Sequence, residues 1–264
     1  MNKPFFLRVS SQKGGVGKTT IAVNLATALG LLNYKVLLVD SDVISPAVSF
    51  FLGIEEVNIG ISEVMDNKAT LKRVIVRHDV SGIDILPGTQ TPRDYPSDKE
   101  MKNLIKKITK EGDYDFVIVD TPPGYAPSAV PELYNEALIV STPAMASVAS
   151  SIRLSKIYDK HHLQHNLIIN RVRGNKYELS ATEIESGYDG RSIVSIPEDP
   201  KVEFSESSHI PIMIMAPRST FSVAMNILVR FYAAKKGASM SRTVEPKNSV
   251  ISNILDAIRK FFRI

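Results

Sequence analysis

Short apolar runs recur along the chain: FFLRVS, KVLLVD, IDILPG, FVIVDTPP, ALIVSTP, NLIINRV and SIVSIP. Several are apolar almost throughout, without the in-and-out alternation that a sheet with one wet face would need. Strands of that kind are covered on both sides and belong to parallel sheets. Between the first two runs lies TTIAVNLATALGLLN, in which Ile21, Leu25, Ala28, Leu29 and Leu32 recur at helical spacing. A glycine or asparagine near its end suits a helix stop. Strands and helical segments alternating in this way predict a doubly wound α/β domain, one mainly parallel sheet with helices on both faces. The chain has 264 residues, enough for one large core. It shows no internal repeat and no second domain.

The first of these runs leads directly into SQKGGVGKTT. Within it, GGVGKT fits the phosphate-binding loop pattern, and its place between a predicted strand and a predicted helix is the context that pattern requires. Gly14, Gly15, Val16 and Gly17 offer backbone N–H groups to phosphate oxygens, and the helix N-terminus adds its dipole. Lys18 is expected to reach the β- and γ-phosphates, Thr19 to bind Mg²⁺, and Thr20 to follow on the same turn. Magnesium also needs carboxylates at strand ends. FVIVD places Asp120 there, and KVLLVDSD places Asp40 and Asp42 at the end of a second strand. A carboxylate at that position either orients a water toward the γ-phosphate or caps its own loop. Gly124, in DTPPG, lies where a γ-phosphate sensor would sit. Lys13, one residue before the glycines, has no role in a phosphate-binding loop as such.

Composition narrows the classes further. There is no cysteine, so disulfides, thiolate metal sites and cysteine-held iron–sulfur clusters are excluded within this chain. The net charge of +4 is a mild basic bias, compatible with anionic lipid or nucleic acid. The short apolar start is interrupted by Arg8 and does not resemble a signal peptide. No run reaches the roughly 18 apolar residues needed to span a bilayer. A cytoplasmic protein is expected.

KGGVGKTT with its early lysine resembles the deviant Walker A motif of the MinD/ParA ATPases. DSDVISPAVSFFLG, ILPGTQTPRD, DYDFVIVDTPPG, STPAMASV, INR and IPEDPKV follow in the order seen in MinD, so the resemblance covers nearly the whole chain. It implies an ATPase that hydrolyses ATP to ADP with Mg²⁺ and forms a homodimer on ATP. Lys13 would then cross the interface to the partner's phosphates, adding a cation where two triphosphates face each other. Asp42 matches the family's water-positioning aspartate, and Asp40 matches its neighbouring switch residue. Asn170, Arg171, Pro197, Glu198 and Asp199 match the segments around adenine. Where MinD proteins that answer to MinE have acidic residues, this chain reads ASSIR, with Ser150 and Ile152, so a regulator of that kind is not expected. A ParA-like, DNA-partitioning ATPase is the alternative, with nucleic acid the less favoured partner.

After the P-loop domain, residues 1–234, the segment 235–249 is polar and rich in small residues, as a tether would be. On a helical wheel of residues 250–264, Ile251, Ile254, Leu255, Ile258, Phe261 and Phe262 share one contiguous apolar half. The opposite half carries three bases, Arg259, Lys260 and Arg263, against one acid, Asp256. Such a helix suits the plane of an anionic membrane surface. The family resemblance implies the same placement, peripheral on the inner face of the cell membrane. Neither the cargo nor any activating partner is legible.

Overall fold

The computed structural model describes residues 3–54, 57–89, 93–124, 133–188 and 191–237. Its strands are β1 (Phe5–Ser10), β2 (Val36–Asp40), β3 (Val76–His78), β4 (Ile83–Leu86), β5 (Phe116–Asp120), β6 (Glu136–Ser141), β7 (His165–Val172) and β8 (Arg191–Pro197). They form one sheet in the order β3-β4-β2-β5-β1-β6-β7-β8. Every pairing is parallel except that of the edge strand β3 with β4.

The apolar runs have the physical reason the sequence suggested. In β2, Val36 and Leu38 enter one core while Leu37 and Val39 enter the other. Phe116 and Ile118 in β5 oppose Val117 and Val119 in the same way. One face is covered by α1 (Lys18–Leu31), α9 (Ile212–Met215) and α10 (Thr220–Lys235). The other is covered by α3 (Ile61–Met65), α4 (Leu71–Val74), α5 (Asp98–Glu111), α6 (Met145–Lys160) and α7 (Ala181–Gly187). Two short helices complete the described set, α2 (Val48–Phe51) and α8 (Pro200–Ser207).

Two details differ from the sequence reading. Helix α1 does not have one apolar face: Ala22, Val23, Asn24, Ala26 and Thr27 are buried along with the predicted stripe. It lies between the sheet and α9 and α10, and its small residues let these elements approach. Helix α10 continues through Lys235, so the ordered domain extends into the segment read as tether.

Helix α10 runs the full depth of the domain. Ser219 caps its start by accepting from the Ser222 N–H. Its last turn reaches the opposite, amino-terminal edge of the sheet. There Lys235 pairs with the buried Glu136, the first residue of β6, and the Tyr232 hydroxyl donates to the same carboxylate at 2.8 Å.

Candidate nucleotide site

The site forms at the carboxyl ends of the central strands, the edge at which open parallel sheets bind ligands. The loop from β1 to α1 turns through Gly17, whose φ of 89° is left-handed. A side chain there would be strained, and its Cβ would fall 2.3 Å from Asn170 Nδ2. Asn170, at the end of β7, closes over the loop and donates from Nδ2 to the Val16 carbonyl at 2.9 Å. The loop is thereby held in register with a strand far away in sequence.

Around this loop lies a cavity of about 300 Å³, lined by Lys13, Gly14, Gly15, Gly17, Lys18, Thr19 and neighbouring residues. Lys18 is buried, with Nζ 3.4 Å from Asp120 Oδ1. The Thr19 hydroxyl donates to Asp120 Oδ2 at 2.6 Å. Burial pushes the Asp120 carboxyl up, against the stabilising Lys18 charge and the Thr19 hydroxyl. Lys13 is exposed at the mouth, and no ion-pair partner is found for it among the described residues. Gly124 sits nearby in a left-handed turn, its N–H donating to the Ser11 carbonyl at 2.9 Å.

The two aspartates at the end of β2 separate in role. Asp42 lines the cavity and also caps its loop, with Oδ1 accepting from the N–H groups of Ser45 at 3.0 Å and Ile44 at 3.3 Å. Asp40 is fully buried. Its Oδ1 accepts from the Asp42 N–H, and its Oδ2 accepts from those of Ala47 and Val48. Its carboxyl is pushed up to about 7 by burial and by Asp120. With donors on both oxygens, Asp40 is placed to fix the loop that carries Asp42. That differs from the ligand position expected of it.

A second cavity, of about 670 Å³, adjoins the first and shares Thr20 and Arg171 with it. Asn170, Arg171, Pro197, Glu198 and Asp199 all line it. Arg171 has a left-handed φ of 59°, at an irregularity in the β7–β8 register between Ile169 and Val172. Glu198 is paired with Arg173. The oxygens of Asp199 are committed elsewhere: Oδ1 caps α8 through the Lys201 N–H, and Oδ2 accepts from the Thr220 hydroxyl at 2.8 Å and the Phe221 N–H at 3.3 Å. Asp199 therefore fixes the cavity wall and offers little as a free acceptor. Arg173, Phe221 and Glu206 also line the two cavities and were missed by the sequence reading. They reach the site by helix packing and loop course, and no local motif marks them.

Among the described residues no group of three or more His, Cys, Asp or Glu is placed to hold a metal. Thr19 and Asp120 instead form a hydroxyl–carboxylate pair beside Lys18, which fits Mg²⁺ bound jointly with phosphate oxygens. The predicted membrane residues Ile251, Ile254, Leu255, Ile258, Phe261 and Phe262 lie outside the described residues. No helix among the described residues is long and apolar enough to cross a membrane.

A glycine-rich loop clamped by a distant asparagine, with a lysine and a threonine meeting one buried strand-end carboxylate, defines a P-loop nucleotide-binding protein. Comparison with known proteins narrows the class. A family model described as an AAA domain matches residues 6–166. An uncharacterised ATP-binding protein of Methanocaldococcus jannaschii is 28% identical over 263 residues, covering 98% of each chain. A putative septum site-determining protein MinD of Guillardia theta is 30% identical, covering 72% of this chain and 71% of its own. Among solved structures, the septum site-determining protein MinD of Pyrococcus horikoshii, complexed with Mg-ADP, superposes with a TM-score of 0.78 at 27% identity. The match covers 91% of this chain and 100% of that one. The chain belongs to the MinD/ParA family of P-loop ATPases.

Proposed function

We propose that this protein binds and hydrolyses ATP with Mg²⁺, cycling between an ADP-bound monomer and an ATP-sandwich homodimer that attaches to anionic membrane. The observation that carries the reading is the second cation. Lys18 is already engaged with Asp120, while Lys13 stands exposed at the mouth of the same cavity with no ion-pair partner among the described residues. A lysine so placed is free to meet phosphate on a second copy of the chain, where two triphosphates in apposition need added positive charge. The Mg-ADP complex of the Pyrococcus horikoshii relative supports the choice of nucleotide and metal.

In this mechanism the loop N–H groups and Lys18 hold the β- and γ-phosphates, and Thr19 and Asp120 hold the metal. Mg²⁺, when bound, neutralises charge developing on the phosphate oxygens. Asp42 orients the attacking water, and Asp40 keeps the Asp42 loop in place. Asn170, Arg171 and the 197–199 segment form the base pocket. Residues 250–264 provide the membrane contact. One short interfacial helix binds only marginally, whereas two on one dimer gain roughly 10²–10⁴ in avidity. ATP then sets membrane residence through oligomeric state, in the service of positioning cell division or another cellular structure on the cytoplasmic side of the membrane.

The test is the oligomeric state of Lys13→Ala by light scattering with ATP and Mg²⁺. The parent is expected to dimerise, and the variant to stay monomeric with its fold intact. An ATP-bound dimer of Lys13→Ala as stable as the parent's would remove the role given to this lysine.

A further inference from the structure

The phosphate cavity contains a carboxylate that the mechanism does not use. Glu206, on α8, lines it together with Lys13, Lys18 and Arg171. Its Oε1 accepts a hydrogen bond from the Thr20 hydroxyl at 2.7 Å. Among the described residues no cation lies within ion-pair distance of it, and its Oε2 has no donor. A fixed negative charge in an anion site opposes the phosphates it accompanies. The bond to Thr20 does not require the charge, since a neutral amide oxygen could also accept that proton.

The position of Glu206 supplies the explanation. Thr20 and Arg171 are the two residues that line both the phosphate cavity and the neighbouring 670 Å³ cavity. In a nucleotide, the sugar links phosphates to base, so a ligand filling both cavities carries its sugar across that seam. Glu206 is bonded to one of the two seam residues and is partly exposed. Ribose presents vicinal hydroxyls there, and an ionised carboxylate is an acceptor of two oxygens with no proton of its own. Charge-assisted hydrogen bonds of this kind are stronger than neutral ones, and acidic side chains take the same role on ribose in other nucleotide folds.

We propose that Glu206 reads the ribose hydroxyls of the bound nucleotide and makes the site selective for ribonucleotides over deoxyribonucleotides. The proposal rests on the nucleotide reading above and assigns Glu206 to positioning and specificity, not to the chemical step.

The test is equilibrium binding of ATP, 2′-deoxy-ATP and 3′-deoxy-ATP, each with Mg²⁺, to the parent, Glu206→Ala and Glu206→Gln. The parent should bind at least one deoxy analogue about 10-fold more weakly than ATP, the scale of one lost hydrogen bond to a charged acceptor. In Glu206→Ala that ratio should shrink to within about twofold, even though removing a negative charge strengthens binding of all three triphosphates. Glu206→Gln keeps an oxygen for Thr20, guards against a folding defect, and should retain a smaller preference. Equal affinity of the parent for ATP and both analogues overturns the proposal alone, as does a preference that survives unchanged in both variants. A parent that binds none of the three nucleotides would instead overturn the nucleotide reading beneath it.

Discussion

Asp42 holds a turn and lines a phosphate cavity with one carboxylate. The two roles separate by substitution. Asp42→Asn keeps an oxygen for the Ser45 and Ile44 N–H groups but loses the charge proposed to orient water, and Asp42→Ala loses both. Each variant should bind ATP, and single-turnover hydrolysis should slow by about 10²-fold in both. Hydrolysis at the parental rate in Asp42→Asn would leave the residue with the turn alone. At this scale the sequence was most legible where function is local. The loop, Lys18 and Thr19 stand together in the chain, and Asp120 ends an apolar strand that needs a reason for its terminal charge. Legibility failed for Asp199, which was assigned to the segments around adenine and lines the larger cavity, but whose oxygens are taken by α8 and α10. It failed entirely for Glu206 and Phe221, which owe their positions to packing of whole helices.

Helix α10 carries a partly exposed lysine paired with a buried carboxylate, and removal of the pair should be measurable. Glu136 is 1% exposed and receives Lys235, the Tyr232 hydroxyl and the Asn166 amide. Lys235→Met leaves the carboxylate with neutral donors only, at a cost of about 3 kcal/mol in urea unfolding. The double variant with Glu136→Gln should recover most of that loss, because the amide oxygen still accepts and no charge remains buried. Unchanged stability of Lys235→Met would mean that the pair is solvated and contributes little. ATP affinity should not change, since the pair sits at the far edge of the sheet from the loop. Strands were the elements best read from sequence, because burial on both faces writes itself as uninterrupted apolar runs. Strand β3 was missed for the complementary reason: its three residues, half-buried or exposed, give no period to detect. The all-round burial of α1 was missed because alanine, threonine and asparagine do not announce a buried face.

At the scale of the molecule, the proposed function couples nucleotide at one edge to membrane attachment through residues 250–264, and that coupling can be tested. Ile258→Glu places a carboxylate within the apolar half of that segment, at a cost of several kcal/mol on burial. Binding to anionic vesicles should be lost while ATP turnover without vesicles is retained. The parent should co-sediment better with a non-hydrolysable ATP analogue than with ADP. Equal sedimentation in the two nucleotides would defeat the avidity mechanism. Failure of Ile258→Glu to fold would place the segment in the core.

The course of α10 has a kinetic consequence. The helix starts beside the larger cavity, where Thr220 meets Asp199, and ends at the amino-terminal edge, where Lys236 donates to the Lys3 carbonyl. Gly237 therefore lies at the edge opposite the nucleotide cavity. In the cycle proposed above, a surface attachment that begins at this edge would leave nucleotide exchange and detachment as separate steps, with dwell time set by the lifetime of the ATP-bound pair.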